Sequence, residues 1–287
     1  MVILSVNNIS KSFGRHKVLD GVSLNIETPG IVALVGPNGS GKSTFLDIIA
    51  NILNEDSGTV EILGKSNKDI SVYNDYSYMI DNTVLYEHLT GLDHLKFICE
   101  THKLNKDAIR KGVELMGIKH FINKKVGEYS LGMKQQLLFT MSILNEPDFL
   151  VLDEPFNGLD PSTIIKVRKI ILDFVRQGKT ILLSSHNLAE VDEMTSHIVF
   201  LKDGKFIEED ISKYQEDIYY FKVKNPNEIV DKLDDDKITL KEDEIIVSTE
   251  NYNLNEIINK INDIDEIIDI RKEVKGSEKR YEELYNI

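Results

Sequence analysis

Apolar and polar positions alternate through two early pieces, VILSVNNIS and KVLDGVSLNI, a period of two that predicts half-buried strands. The run IVALVG is apolar throughout and stops at a glycine-rich loop, after which TFLDIIANIL repeats apolar residues at helical spacing. Strand, loop and helix in that order open a parallel-sheet unit. Two later runs, DFLVLDEP and KTILLSSH, stay apolar until polar residues end them. Buried parallel strands read this way, and ligands collect at their carboxyl ends. Between these parts, residues from about 88 to 145 carry helical patterns: HLTGLDHLKFICETHKL, KDAIRKGVELMGI and the run LLFTMSIL after Ser130. They predict a helical subdomain inserted into the sheet domain. Ser130, just ahead of its run, suits an N-cap whose hydroxyl accepts from a free amide of the first turn.

The pattern changes after about residue 210. IYYFKVKN, KITL, EIIVST and DEIIDIRKEV read as strands, and NEIVDKL and NLNEIINKIN as helices. The order is β-α-β-β-α-β, a small α+β domain of the split-βαβ kind, with Tyr219, Tyr220 and Phe221 expected in a strand and its core. The expected organisation is an α/β domain over 1–210 and an accessory α+β domain over 211–287. No internal repeat joins the two.

Composition narrows the function classes. A chain of 287 residues, 41% apolar and 29% charged, is that of a globular protein, and no apolar run approaches a membrane span of roughly 18 residues. Its start, MVILSVNNISKSFGR, has no basic residue ahead of a brief apolar piece, so no signal peptide is expected and the cytoplasm is the expected location. The single Cys99 excludes an intrachain disulfide framework. The net charge of −14 opposes binding along a phosphate backbone, so nucleic acid is not an expected partner. Most of that charge lies in the tail, where 21 acidic residues face 12 basic ones.

Two motifs carry chemistry. GPNGSGKST, made of Gly36, Pro37, Asn38, Gly39, Ser40, Gly41, Lys42, Ser43 and Thr44, fits G-x-x-x-x-G-K-[ST] and lies between a predicted strand and a predicted helix. Glycines let backbone N–H groups turn toward phosphate oxygens, Lys42 neutralises the β- and γ-phosphates, and Ser43 offers a hydroxyl to Mg²⁺. FLVLDEP supplies the rest: Asp153 at a buried strand end suits the Mg²⁺ shell, and Glu154 beside it can orient or deprotonate an attacking water.

With these motifs in this order, the chain resembles the nucleotide-binding subunit of an ATP-binding cassette (ABC) transporter over roughly residues 1 to 210. The resemblance implies a P-loop NTPase fold of the ABC ATPase type, with ATP and Mg²⁺ as cofactors. It makes YSLGM a signature of LSGGQ type, in which Ser130, Leu131, Gly132 and Met133 face the nucleotide of a second ATPase subunit packed head to tail, in a homodimer or a heterodimer. It makes NGLD a D-loop with Leu159 and Asp160, and His186 in SSH a switch histidine on the γ-phosphate. It also places Phe13 on the adenine ring. Two departures stand out: Leu131 and Met133 replace a usual glycine and glutamine, and Asp81 occupies the Q-loop glutamine position. A carboxylate at 81 can touch Mg²⁺ or its waters but cannot donate a hydrogen bond when ionised. Together with VLYEHLTGLDHLKF, these departures are similar to the ABC ATPases of antimicrobial-peptide export and immunity, the bacitracin and lantibiotic type.

The implied function is an Mg²⁺-dependent ATPase, peripheral at the inner face of the cell membrane, that powers export of a peptide or another amphipathic compound through a separate integral membrane permease. The alternative is a soluble ABC-type ATPase acting on ribosomes or DNA. Such proteins usually carry two cassettes in one chain or a long coiled-coil insert, and this sequence shows neither. A nucleotide switch with little turnover is a third reading, and Glu154 argues against it.

Overall fold

A computed structural model describes residues 2–214, 216–233, 238–241, 243–248 and 253–285. Lys237 and Thr249, placed in strands by the sequence, lie outside the described residues. The chain divides into two compact units, Met1–Glu209 and Asp210–Ile287.

In the first unit β1 (Leu4–Phe13) and β2 (His16–Ile26) pair antiparallel, with Leu4 opposite Ile26 and Phe13 opposite His16. The expected alternation breaks at Asn8, the first of three register shifts along the pair. Asn8 has φ +53°, and the register slips between Val6 and Ile9, so both of those residues reach the core although they are three apart. A bulge of this kind lets one strand change its inward face. The apolar run becomes β3 (Ile31–Val35), buried at every position, and leads into α1 (Lys42–Ile49). β4 (Ser57–Ile62) and β5 (Lys65–Ser66) complete a sheet of order β2-β1-β4-β5.

The remaining elements are β6 (Tyr76–Met79), α2 (Gly91–Thr101), α3 (Asp107–Met116), α4 (Leu131–Ile143), β7 (Phe149–Leu152), α5 (Pro161–Arg176), β8 (Thr180–Ser185), α6 (Leu188–Asp192), β9 (His197–Lys202) and β10 (Lys205–Asp210). A second sheet has the order β10-β9-β3-β8-β7-β6, and from β9 to β6 its strands run parallel to one another. Buried on both faces, such strands need no polar alternation. The core fills the space around α1: Phe45, Leu46 and Ile49 pack with Leu4, Val6 and Leu24 from one sheet and Leu34, Val151 and Leu182 from the other. The helices α2, α3 and α4 fall inside the segment expected to be helical. A reciprocal Thr90–Asp93 capping box starts α2, and Gly117 at φ +77° ends α3.

Register fixes what the sheet presents. Val35 lies opposite Ser185, Leu183 opposite Leu152, and Leu152 opposite Met79. The carboxyl ends of β3, β8, β7 and β6 are therefore aligned, and the loops after them, carrying Gly36, His186, Asp153 and Asp81, leave the sheet on one edge. Ligands of open α/β sheets bind at that edge.

The second unit contains β11 (Glu216–Val223), α7 (Pro226–Leu233), β12 (Ile238–Lys241), β13 (Glu244–Ser248), α8 (Leu254–Asn262), β14 (Ile267–Lys275) and α9 (Ser277–Tyr285). Its antiparallel sheet has the order β12-β13-β11-β14. Up to β14 this is the expected β-α-β-β-α-β order, and α9 is an addition. Phe221, Val223, Ile245 and Val247 pack against Ile229 of α7 and Ile257 and Ile261 of α8. As expected of strand residues, Phe221 is in this core and Tyr219 packs against it, while Tyr220 carries the Arg271 guanidinium 4.5 Å from its ring centre.

Candidate functional site

The loop from Gly36 to Thr44 joins β3 to α1 and draws its shape from two glycines. Gly39 and Gly41 have φ of +78° and +107°, values that L side chains rarely adopt. A Cβ on Gly41 would also meet Val18 Cγ1 at 2.5 Å, so no other residue fits there. Gly41 stands at the N-cap of α1, and no side chain caps that helix. Its first backbone N–H groups thus meet no side-chain cap, an arrangement that can receive an anion. Lys42 is buried, with 6% of its surface exposed, and its Nζ donates to the carbonyls of Gly36 (2.8 Å) and Pro37 (3.2 Å). Burial pushes its pKa down, opposed by the charges of Glu154 and Asp153. Ser43 is exposed and Thr44 half-buried.

Asp153 and Glu154 follow β7 directly. Ser184, near the end of β8, donates its hydroxyl to Asp153 Oδ1 and accepts the Glu154 N–H at 2.9 Å, locking the ends of the two strands together. Glu154 adopts φ +47°, a left-handed conformation that costs a residue with a side chain about 1–3 kcal/mol. Contacts from α4, from the end of β8 and from the phosphate-loop lysine hold it. Its N–H is bound by Ser184, its carbonyl accepts Gln135 Nε2 at 2.8 Å, His186 Nδ1 lies 2.8 Å from Oε2, and Lys42 Nζ lies 3.8 Å from Oε1. Three sequence-identified groups, Lys42, Glu154 and His186, therefore meet in one place, with Asp153 beside them. Gln135 and Ser184 are missed by the sequence reading as individual residues, although Ser184 lies inside SSH and Gln135 two residues beyond YSLGM. Asp47 is missed as well: on α1, it accepts the Tyr78 hydroxyl at 3.0 Å, and burial raises its pKa.

The signature stretch forms a separate cluster. Ser130 caps α4 as expected, its hydroxyl accepting from Met133 N at 3.2 Å. Leu131 is 47% exposed, Met133 is half-buried, and Tyr129 turns inward to donate its hydroxyl to the Phe121 carbonyl at 2.9 Å. Burial pushes the Tyr129 phenol up to about 12. Among the described residues no hydrogen bond or ion pair joins Ser130–Met133 to the loop 36–44. Their neighbour is the D-loop instead. A Cβ on Gly132 would stand 2.8 Å from the Gly158 carbonyl, and one on Gly158 would meet Leu131 Cδ2 at 2.6 Å. Leu159 is half-buried, and Asp160 caps α5, accepting from the N–H groups of Ser162 and Thr163 at 3.0 and 3.2 Å. The hydroxyls of Ser162 and Thr163 add to these bonds and hold the Asp160 carboxyl well below the usual carboxylate range.

Phe13, at the hairpin end of β1, leaves 51% of its surface exposed, with Lys11 Nζ 5.6 Å from its ring centre. Asp81 is exposed and accepts from Thr83 N at 2.8 Å, which makes it the cap of a short turn over Asn82–Val84. One of its carboxylate oxygens is thereby engaged locally.

A phosphate loop, a strand-end acid pair and a histidine on the same carboxyl edge define a P-loop nucleotide hydrolase. Comparison with known proteins makes this specific. The model of the ABC transporter family matches residues 19–157. Over 207 residues the chain is 35% identical to the lantibiotic transport ATP-binding protein SrtF of Streptococcus pyogenes, covering 71% of this chain and 89% of that relative. Over 215 residues it is 33% identical to the bacitracin transport ATP-binding protein BcrA of Bacillus licheniformis, covering 72% and 69% of the two chains. A solved nucleotide-free ATP-binding cassette from an ABC transporter superposes with a TM-score of 0.63 at 26% identity, covering 72% of this chain and 90% of that one. The ATP-binding subunit of another ABC transporter shares the fold over 91% of this chain and 99% of that one, at a TM-score of 0.69 and 23% identity. The chain belongs to the ABC transporter family, as an ATP-binding and ATP-hydrolysing subunit. Among its described residues no helix is long and apolar enough to cross a membrane.

Proposed function

We propose that this subunit powers export of a peptide or similar amphipathic compound through an integral membrane permease supplied by another chain, and works at the inner face of the membrane as one of two head-to-tail ATPase subunits. The observation that carries the chemical part is the meeting of Lys42, Glu154 and His186 around one point. Phe13 stacks on adenine, the N–H groups from Gly36 to Thr44 bind the phosphates, and Lys42 moves from its carbonyl partners to the β- and γ-oxygens. Glu154 accepts a proton from water as that water attacks the γ-phosphorus and ADP departs, while His186 holds Glu154 and the γ-phosphate in register. The donors suit Mg²⁺, a hard cation that takes oxygen ligands and keeps several waters. The Ser43 hydroxyl and the Asp153 carboxylate would hold it, and it would neutralise charge developing on the phosphates. Asp81, capping its own turn, is left to the outer waters.

The relatives named for lantibiotic and bacitracin transport favour a membrane partner over a ribosome or DNA. They also support an antimicrobial-peptide class of cargo. The exposed Ser130 and half-buried Gly132, with no hydrogen bond to the chain's own phosphate loop among the described residues, suit the nucleotide of a second subunit. The unit 210–287 is read as an accessory domain that regulates or stabilises that pair.

Glu154→Gln tests the chemistry. Loss of a general base lowers turnover by roughly 10²–10⁴, while ATP binding persists and an ATP-dependent dimer becomes easier to detect by size exclusion. Hydrolysis at the wild-type rate would place the base elsewhere.

A further inference from the structure

Gln135 is a buried amide, 6% exposed, on a helix whose next buried residues, Leu137, Leu138 and Phe139, are apolar. A polar side chain in such surroundings is retained for what it bonds, and Gln135 Nε2 donates to the Glu154 carbonyl. That carbonyl also accepts from Asn157 N at 3.1 Å, closing the turn from which the D-loop departs. The residue so held, Glu154, has a left-handed backbone at φ +47°. The first turn of α4 touches the same segment again through the close approach of Gly132 and Leu131 to Gly158. The helix that begins at Ser130 and the segment from Glu154 to Gly158 are therefore joined at two points, one a hydrogen bond and one a steric fit that only glycines allow.

We propose that Gln135 is a positioning residue for hydrolysis: it clamps the turn at 154–157 to α4, and so aims the Glu154 carboxylate toward Lys42 and His186. The inference rests on Glu154 being the base. Through this clamp a shift of the signature helix, which the proposed arrangement places on the partner's nucleotide, moves the base of its own chain. Occupancy of one site is then felt at the other without a contact between the two nucleotides. A bond to the peptide carbonyl rather than to the carboxylate suits this task, since it fixes where the side chain starts without occupying either carboxylate oxygen.

The test compares Gln135→Met, of similar volume but without a donor, with Gln135→Glu, which accepts but cannot donate when ionised. Glu154→Gln is measured beside them, all in the full-length chain. For each, kcat, KM, ATP affinity by direct titration and the thermal midpoint are read. A small misplacement of a catalytic group costs about 10²-fold, so Gln135→Met and Gln135→Glu are expected to lower kcat by roughly 10- to 100-fold, with ATP affinity and thermal midpoint unchanged. A wild-type kcat in Gln135→Met overturns the clamp. So does a joint fall of kcat, affinity and melting, which would make Gln135 a packing residue only. If Glu154→Gln itself hydrolyses at the wild-type rate, the assignment of the base has failed rather than the clamp.

Discussion

Lys42 shows how a residue is kept ready for a polyphosphate. Burying an ammonium disfavours its charged form, and here two carbonyls and the charges of Glu154 and Asp153 offset that cost. The lysine thus bridges the phosphate loop and the Glu154 carboxylate across 3.8 Å. Lys42→Ala removes the positive charge that faces these two carboxylates, so an incoming triphosphate meets acids without this counter-charge. ATP binding and hydrolysis should both collapse, the first read by direct titration and the second by phosphate release. Unchanged affinity would be incompatible with the role given to the loop. Glu154 makes the complementary point: its φ of +47° is a local expense met by bonds from Ser184 and Gln135, residues far from it in sequence. The acid pair is readable from FLVLDEP, whereas the strain and its restraints are not, because they exist only once β7, β8 and α4 have packed together.

At the scale of elements, legibility followed burial. β3, β7 and β8 stand out as unbroken apolar runs since both their faces are covered, and α4 announces itself through the Ser130 cap. β6 is different. Three of its four residues, YSYM, carry hydroxyls, and it is a strand because β7 pairs with it in parallel. α9, in SEKRYEELY, has too few apolar positions to announce a helix face. The fit of α4 against the D-loop is invisible for the same reason as β6: glycines at 132 and 158 look like ordinary turn residues until the two segments meet. The elements from β11 to α9 have their own core, and every phosphate, metal and water ligand assigned above precedes them. Ending the chain after Ser212 should therefore leave ATP affinity intact. A remainder that is folded by circular dichroism yet does not bind ATP would show that the second unit contributes to the nucleotide site.

For the whole molecule the question is which subunit's nucleotide Ser130 serves. The chain has a net charge of −14, and the 21 acidic and 12 basic residues after residue 209 account for most of it, so long-range attraction between two copies is not what pairs them. Nucleotide caught between the phosphate loop of one and the signature of the other would do so, since the hydroxyl and amides at a helix start favour a γ-phosphate. Two variants separate the possibilities: Lys42→Ala, which disables the loop, and Ser130→Arg, whose bulk blocks the γ-phosphate seat. Each alone should be nearly inactive as a pair of identical subunits. In a mixed pair with the signature acting across subunits, one site combines the disabled loop with the blocked signature, and the other combines an intact loop with an intact signature. Activity should then return to at most about half the wild-type value per mixed pair if the sites act independently, and in proportion to the fraction of mixed pairs. If Ser130 served its own subunit's nucleotide, no mixture would contain a whole site, and phosphate release would stay at background. Mixed pairs demonstrated by differential tags and still silent would therefore rule out the arrangement across subunits or the sufficiency of a single site, and tethering the two variants as one chain would tell which.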